Sequence, residues 1–269
     1  TPCEHSFPTR RSSDLSTTDT MRKEELISCL QENLSLNIET MPIINSGISS
    51  LDFNIINKYF LNKGILVNDD NRLEFMDNAG ITFIERDYNK RVVTLGGLLV
   101  FSSINSIYLP HNMIKIVNKV NDNVDEVIIV QGNLLDMLDR TEEFFKKIFP
   151  VNYPIVAVYE AVKNAILYRD YTIFYKEIEI VVSYNSVSVV SPGNLLFSTE
   201  INTHNYLKRN MWIYDKLIAL DDRKRFAKSG KGFARMKKAF IKHGKVIFVD
   251  SKDDNTFKVI FPGDRKSVV

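Results

Sequence analysis

EAVKNAILYRDYT (residues 160–172) is the most informative stretch of this 269-residue chain. Apolar residues recur in and before it at the spacing of an amphipathic helix, which predicts a helix over residues 155–168. At 100° per residue, Glu160 and Asn164 lie about 40° apart, so one helix face carries a carboxylate and an amide. Such oxygens suit Mg²⁺, which takes its remaining ligands from phosphates and water. Alternatively, the carboxylate would orient a water molecule for attack on a phosphorus atom. The alternative is an ordinary exposed polar pair, which spacing alone favours.

The segments that follow this helix predict an α+β domain over residues 150–263. Alternating apolar residues bounded by turn residues indicate paired strands, and apolar residues at helical spacing indicate helices. The result is a two-layer sandwich, with helices on one face of a mostly antiparallel sheet. The segments are two strands around Tyr184-Asn185, the helix MWIYDKLIAL, a helix opened by SGKGFARM with Phe233, Met236, Phe240 and Ile241 facing inward, and the hairpin KVIFVD/TFKVIF.

A smaller mixed α/β region is predicted before it, over residues 22–149. The two prolines of PVNYP interrupt helical continuity and mark the boundary between the two regions. The expected elements are a helix over 22–36, a helix capped by Ser50 and ending at Phe60, a hairpin around residues 87–90 followed by a helix, the strands MIKIVNKV and EVIIVQG, and a helix over 133–149.

The composition excludes several classes of protein. No apolar run approaches the roughly 18 residues of a membrane span, and no signal peptide is recognisable, so we expect a cytoplasmic protein without a membrane partner. Cys3 and Cys29 are the only cysteines, and the four histidines are scattered, which leaves no disulfide framework or cysteine-based zinc site. The net charge of +2 is uninformative about partners, because only the distribution of charge can identify them.

The two ends of the chain have unusual sequences. HSFPTRRSSDL (residues 5–15) resembles the translation of a sequencing adapter, and DRKSVV (264–269) resembles the translation of its reverse complement. We therefore interpret residues 1–21 as an artefactual or disordered leader and residues 264–269 as an artefactual tail, and expect the natural protein to extend further. A disordered basic arm that binds nucleic acid is the alternative.

Two further features are compatible with a phosphate ligand. Gly230 and Gly232 precede a helix, where glycine lets backbone N–H groups approach a phosphate closely, although a flexible helix cap has the same sequence. Ten lysines or arginines and no acidic residue occupy residues 223–245. This run could line a polyphosphate or a nucleic-acid backbone, or it could be a solvated helix face and loop.

Together, YPIVAVYEAVKNAILYRDYT, SVVSPGNL, Arg209-Asn210 and GKGFARM resemble one family, in order and spacing. It comprises the ATP-binding region of predicted transcriptional regulators of the Schlafen or AlbA type, related to the C-terminus of RecG helicase. That region is a divergent relative of the GHKL ATPase fold of gyrase and histidine kinases. The resemblance extends from about residue 50 to residue 261, and its most specific part is the segment around Asn164 and Arg169.

The resemblance implies ATP and Mg²⁺ as cofactors and assigns roles to individual residues. Glu160 would position or activate water, and Asn164 would bind Mg²⁺. Gly193 would lie on the adenine side, and Gly230, Lys231 and Gly232 over the phosphates. The further family positions are Arg169, Asp170, Arg209 and Asn210.

Two positions depart from the family pattern. Tyr168 replaces a histidine, and Ser191 stands where GHKL ATPases have the adenine-binding aspartate. A hydroxyl recognises an exocyclic amine less decisively than a carboxylate does. The resemblance nevertheless implies a fragment of an ATP-binding transcriptional regulator, at most a slow ATPase, that contacts DNA through modules outside this fragment and could form a homo-oligomer. The alternative is a degenerate GHKL-like scaffold that binds no nucleotide and acts in protein–protein assembly.

Overall fold

A computed structural model describes residues 37–85, 89–120, 125–195, 209–227 and 231–263. The leader and tail, the expected helix over residues 22–36, and Gly230 lie outside these ranges. Among the described residues, no helix is both long and apolar enough to cross a membrane.

The N-terminal part of the described chain builds a small three-stranded sheet and three helices. The sheet is antiparallel throughout, and its strand order is β1-β3-β2. The helix that follows β3 is buried at every position, so it fixes this part to the core. The elements are β1 (Pro42–Ile43), α1 (Phe53–Asn62), α2 (Arg72–Asn78), β2 (Thr82–Glu85), β3 (Lys90–Thr94) and α3 (Leu95–Phe101).

The remaining elements form a six-stranded sheet and four helices. The strand order is β5-β4-β6-β7-β9-β8, and every pair is antiparallel except β4 with β6. The elements are β4 (Ile114–Lys119), β5 (Glu126–Val130), α4 (Leu134–Ile148), α5 (Ile155–Tyr168), β6 (Ile178–Ser183), β7 (Ser186–Pro192), α6 (Met211–Leu220), α7 (Gly232–Ala239), β8 (Ile247–Ser251) and β9 (Thr256–Pro262).

The fold confirms the predicted α+β class, with helices packed on a mostly antiparallel sheet. Helix α5 contacts β7, α4 and α7, and one continuous hydrophobic core joins these elements. Strands β4 and β5 precede residue 149 yet belong to the same sheet as β6–β9, so the sheet continues across the boundary placed at PVNYP. The parallel β4–β6 pair is possible because α4 and α5 supply the crossover that a parallel connection needs.

Two local predictions are wrong. Ser50 does not cap α1, because its hydroxyl donates to the Gly47 carbonyl in a 3₁₀ turn. Asp52 is the cap instead, and its carboxylate accepts from the Asn54 amide at 2.8 Å. Ile241, expected to face inward, is 75% exposed, because α7 ends at Ala239 and the helical period no longer applies.

Candidate functional site

Helix α5 supplies the two residues on which the sequence prediction centres. Its apolar stripe is buried in the core, which fixes the rotation of the helix. That rotation leaves Glu160 and Asn164 beside α7 rather than in the apolar core, since α5 and α7 pack directly against each other. The stripe consists of Ala157, Val158, Ala161, Val162, Ala165 and Ile166.

Gly232, the first residue of α7, lies against both of these side chains. A Cβ atom at this position would lie 3.0 Å from Glu160 Oε1 and 3.1 Å from Asn164 Nδ2, closer than ordinary van der Waals contact. The absence of a side chain is therefore what allows the loop backbone to approach the polar face of α5. The structure brings together Glu160, Asn164 and one of the two glycines predicted to accompany them.

Two cations hold the Glu160 carboxylate. Lys163 Nζ donates to Oε2 and Arg235 Nη2 donates to Oε1, each at 2.6 Å. The Lys163 side chain is 7% exposed, and its ammonium also donates to the Arg225 carbonyl at 2.9 Å. The carboxylate thus joins α5 to α7, and in this arrangement both of its oxygens are occupied by donors.

A second ionic network lies next to this group and includes two members of the basic run. Arg225 donates to Asp221 Oδ1 at 2.8 Å, to Asp139 Oδ1 at 2.5 Å and to the Tyr159 hydroxyl at 2.8 Å. Burial raises the pKa of Tyr159 to about 12, although the nearby arginine acts in the opposite direction. Arg223 pairs with Glu142 at 2.6 Å and with Asp139 at 3.1 Å. These two arginines are therefore neutralised by acidic residues within the protein.

The described lysines of the run are exposed to solvent. Lys231, the N-cap residue of α7, is exposed. Lys237 is also exposed, and its ammonium lies over the Phe248 ring. Lys224 adopts a left-handed backbone conformation at φ 52° and is also exposed. Lys228 lies outside the described residues. A ligand for the basic run would therefore meet its lysines and not Arg223 or Arg225.

The other residues predicted for the site meet at the C-terminal end of α5, in a separate cluster. Arg209 pairs with Asp170 through Nη1 and donates to the Asn194 carbonyl at 2.9 Å through Nη2. Gly193 has a φ of 95°, and a Cβ there would lie 2.6 Å from the Asp170 Cβ. Only glycine fits this turn, for both conformational and steric reasons. Asp170, Gly193 and Arg209 thus connect the strand–loop segment after β7 to α5.

Asn210 and Arg169 complete that cluster from the inside. The Asn210 amide donates to the carbonyls of Leu167 and Arg169 at 2.8 and 2.9 Å, which satisfies the open carbonyls at the end of α5. Arg169 is 1% exposed, and its Nη2 donates to the carbonyls of Ile173 and Lys176. Burial lowers the pKa of Arg169, and burial together with the Arg169 charge lowers the pKa of His111 to about 4.

The predicted site residues therefore form two groups rather than one. At 1.5 Å per residue, Glu160 and Arg169 are separated by about 13 Å along α5. Ser191 lies between the groups, where its hydroxyl donates to the Ala165 carbonyl at 3.0 Å and fixes β7 to the helix. The cluster around Asp170 is held by contacts within the protein, whereas Glu160 and Asn164 lie beside the start of α7, where the N-cap residue Lys231 is exposed.

Sequence reasoning missed Lys163 and Arg235 as members of the site. Lys163 lies three residues after Glu160, a spacing that places them on neighbouring parts of the helix surface and could have been noticed. Arg235 comes from a segment 75 residues away, so only the packing of α7 on α5 reveals the contact. Among the described residues, no group of three or more histidine, cysteine or acidic side chains could hold a metal ion by itself.

Comparison with known proteins shows the fold but not the function. No protein-family model matches this chain, and no curated protein matches it. The crystal structure of the DIP2311 protein from Corynebacterium diphtheriae is similar, with a TM-score of 0.57 and 18% sequence identity. The similarity covers 90% of this chain and 50% of that one, so the present chain spans about half the length of that protein.

Proposed function

We propose that this chain is an ATP-binding fragment of a DNA-associated regulatory protein, and that Mg²⁺–nucleotide binds where α5 meets the start of α7. The observation that supports the proposal most strongly is the contact of Gly232 with Glu160 and Asn164. A backbone that approaches two polar side chains without an intervening Cβ is a suitable cradle for phosphate.

The residues at this position fit a magnesium–polyphosphate ligand. Asn164 offers one amide oxygen, and Mg²⁺ commonly binds through one or two protein ligands while phosphates and waters complete its octahedron. Since the described residues hold no three-ligand group, the metal would arrive with its phosphate ligands. When bound, the metal supplies charge neutralisation for the phosphate oxygens.

The cations around the site match the charge of such a ligand. Lys163 and Arg235 contact Glu160, and Lys231 is exposed at the N-cap of α7. Glu160 would orient a water molecule, but only after its carboxylate is released from one of these cations. Turnover would therefore be slow. Attachment to DNA would depend on modules outside this fragment.

A second candidate, a scaffold without nucleotide binding, is favoured by a different observation. Ser191 replaces the adenine-reading carboxylate, and its hydroxyl donates to the Ala165 carbonyl. A hydroxyl committed to a backbone carbonyl is less available for recognising a base. On this alternative, the Glu160 ion pairs serve only to pack α7 on α5.

Titration calorimetry of ATP with Mg²⁺, and then with EDTA, separates the two candidates. Nucleotide binding predicts a saturable signal that Asn164→Ala reduces to the level seen in EDTA. Asn54→Ala, an exposed helical asparagine in α1, is the matched control and should bind as the wild type does. Absence of saturable heat in the wild type at millimolar ATP, together with no ATP-induced rise in the melting temperature, would exclude the nucleotide site.

A further inference from the structure

We propose that the C-terminal end of α7 and the turn after it bind the phosphate backbone of double-stranded DNA, independently of base sequence. The contact surface is a basic ridge, defined as Lys237, Lys238, Lys242 and Lys245. This contact lies within the fragment itself, in addition to any DNA-binding module outside it, and it shares no residue with the nucleotide site.

The segment that contains the ridge has an unusual charge balance. Residues 231–245 contain six basic and no acidic residues, whereas the rest of the chain contains 29 basic and 33 acidic residues. The net charge of the whole chain is only +2, so its excess positive charge is concentrated on this one stretch. A local concentration of charge, rather than the net charge, is what attracts a polyanion.

The lysines of the ridge have no acidic partners within the protein. All four are exposed, and within the described part of the chain none of them forms an ion pair. Lys237 Nζ lies 5.6 Å from the centroid of the Phe248 ring, a contact that leaves its charge uncompensated by any acid. Arg223 and Arg225 of the same basic run are neutralised by acidic residues, so the ridge is the part of the run that remains available to a ligand.

Packing fixes the backbone that carries the ridge. Phe240 is fully buried, and its ring centroid lies 5.0 Å from that of Phe261. Gly244 has a φ of 133° and lies so close to Pro262 that a Cβ there would be 2.9 Å from Pro262 Cγ. Val246, the residue after the last lysine of the ridge, is also buried. The lysines are therefore presented from a turn that is held against the core, which lowers the entropy lost on binding.

Stabilisation of α7 explains only half of the ridge. Lys237 and Lys238 lie in the last turn of the helix, where a positive charge interacts favourably with the helix dipole. This effect is confined to the last turn, and α7 ends at Ala239. It therefore does not account for Lys242 and Lys245, which continue the same positive surface beyond the helix.

The exposed side chains of the segment favour double-stranded DNA over other polyanionic partners. Phe240 is buried, so residues 237–245 offer no exposed phenylalanine, tyrosine or tryptophan on which unpaired bases would stack. Ile241 is the one large apolar side chain exposed in this segment, which is much less than the apolar face that inserts into a membrane surface. Lysine ammonium groups bind phosphate as point charges and do not read base edges, so the expected contact is with the backbone.

Fluorescence anisotropy of a labelled DNA duplex, titrated with the complete 269-residue chain at several salt concentrations, tests the proposal. Four phosphate contacts contribute roughly −3 to −4 to the slope of log affinity against log salt concentration, so affinity should fall about 100-fold between about 50 and about 200 mM salt. Two duplexes of unrelated sequence should bind equally, because only their backbones are contacted.

The ridge variant combines Lys237→Gln, Lys238→Gln, Lys242→Gln and Lys245→Gln. Its slope should be shallower than that of the wild type by roughly 3 to 4, and its affinity at low salt should be at least about tenfold weaker. The control variant replaces Lys58, Lys63, Lys115 and Lys119 with glutamine, which removes the same charge from lysines that pair with acidic residues. The control should bind DNA as the wild type does.

If the ridge variant does not fold, as judged by circular dichroism, the double variant Lys242→Gln and Lys245→Gln replaces it. Both positions lie outside α7, and the change in slope should be about half as large. A wild type that does not bind the duplex, a ridge variant with the wild-type slope, or an equal loss in the control variant overturns the proposal. Sedimentation of the wild type with phosphatidylserine vesicles in the absence of DNA binding would assign the ridge to a membrane surface and also overturns it.

Calorimetric titration with ATP and Mg²⁺ distinguishes the ridge from the nucleotide site. The ridge variant should bind the nucleotide as the wild type does, because none of its four positions contacts Glu160, Asn164 or Gly232. A loss of ATP affinity as large as the loss of DNA affinity would assign these lysines to the nucleotide and overturn the proposal.

Discussion

Replacing Gly232 with alanine separates a binding role from a packing role. The new Cβ would lie 3.0 Å from Glu160 Oε1 and 3.1 Å from Asn164 Nδ2. Both neighbours are ends of flexible side chains, so each can move by a few tenths of an ångström. Alanine also reduces the entropy of the unfolded chain, which stabilises a compatible position by about 0.4–1 kcal/mol. The free energy of unfolding should therefore change by less than about 1 kcal/mol, since this gain offsets a mild overpacking cost.

Ligand binding should respond much more strongly to the same substitution. The methyl group would occupy the gap between the loop backbone and the polar face of α5, and it would displace the Asn164 amide. We expect the affinity for ATP with Mg²⁺ to fall at least about tenfold, or about 1.4 kcal/mol. Calorimetric titration measures the affinity, and urea denaturation measures the free energy of unfolding.

Gly193→Ala is the contrasting variant for the stability measurement. Its φ of 95° disfavours any L side chain, and its Cβ would lie 2.6 Å from the Asp170 Cβ and 3.0 Å from the Asp170 backbone nitrogen. A left-handed conformation costs roughly 1–2 kcal/mol, and rigid neighbours add an overpacking cost of roughly 1–3 kcal/mol. We therefore expect a loss of at least about 2 kcal/mol. If Gly232→Ala instead loses as much stability as Gly193→Ala and binds ligand normally, Gly232 is a packing glycine and the reasoning is wrong.

Three further outcomes are expected. Burial lowers the pKa of His111 from its ordinary 6.5 to about 4 in the folded chain, so between these pH values the unfolded chain binds one more proton than the folded chain. The free energy of unfolding should therefore fall by roughly 2–3 kcal/mol from pH 6.5 to pH 4. His111→Gln should remove this part of the pH dependence. Arg225→Gln leaves the buried Asp221 carboxylate without its guanidinium and should cost roughly 3 kcal/mol in urea denaturation, whereas Arg223→Gln, at a half-exposed side chain, should cost less than about 1 kcal/mol. Glu160→Gln should retain ATP binding but lose any slow hydrolysis in a phosphate-release assay, because the amide cannot act as a base; hydrolysis at the wild-type rate would exclude Glu160 from that role.

The sequence by itself determined the elements whose signals are local. Helix α5 and helix α6 begin and end where apolar periodicity and flanking residues place them, and the hairpins around Tyr184-Asn185 and between β8 and β9 follow from strand alternation and turn residues. These patterns depend on neighbours within a few residues, so a single chain contains all the information they need. The shared face of Glu160 and Asn164 is of the same kind, since helix geometry alone fixes it.

Only the tertiary structure decided which groups meet across the chain. The parallel pairing of β4 with β6, the contact of Arg235 with Glu160 and the contact of Arg209 with Asp170 all join residues far apart in sequence. Residue type did not distinguish Arg223 and Arg225, which are paired with acids, from the exposed Lys231. The physical reason is that ion pairing and burial depend on which surfaces the core brings together, and the packing of α7 on α5 is set by their apolar residues rather than by the charges beside them.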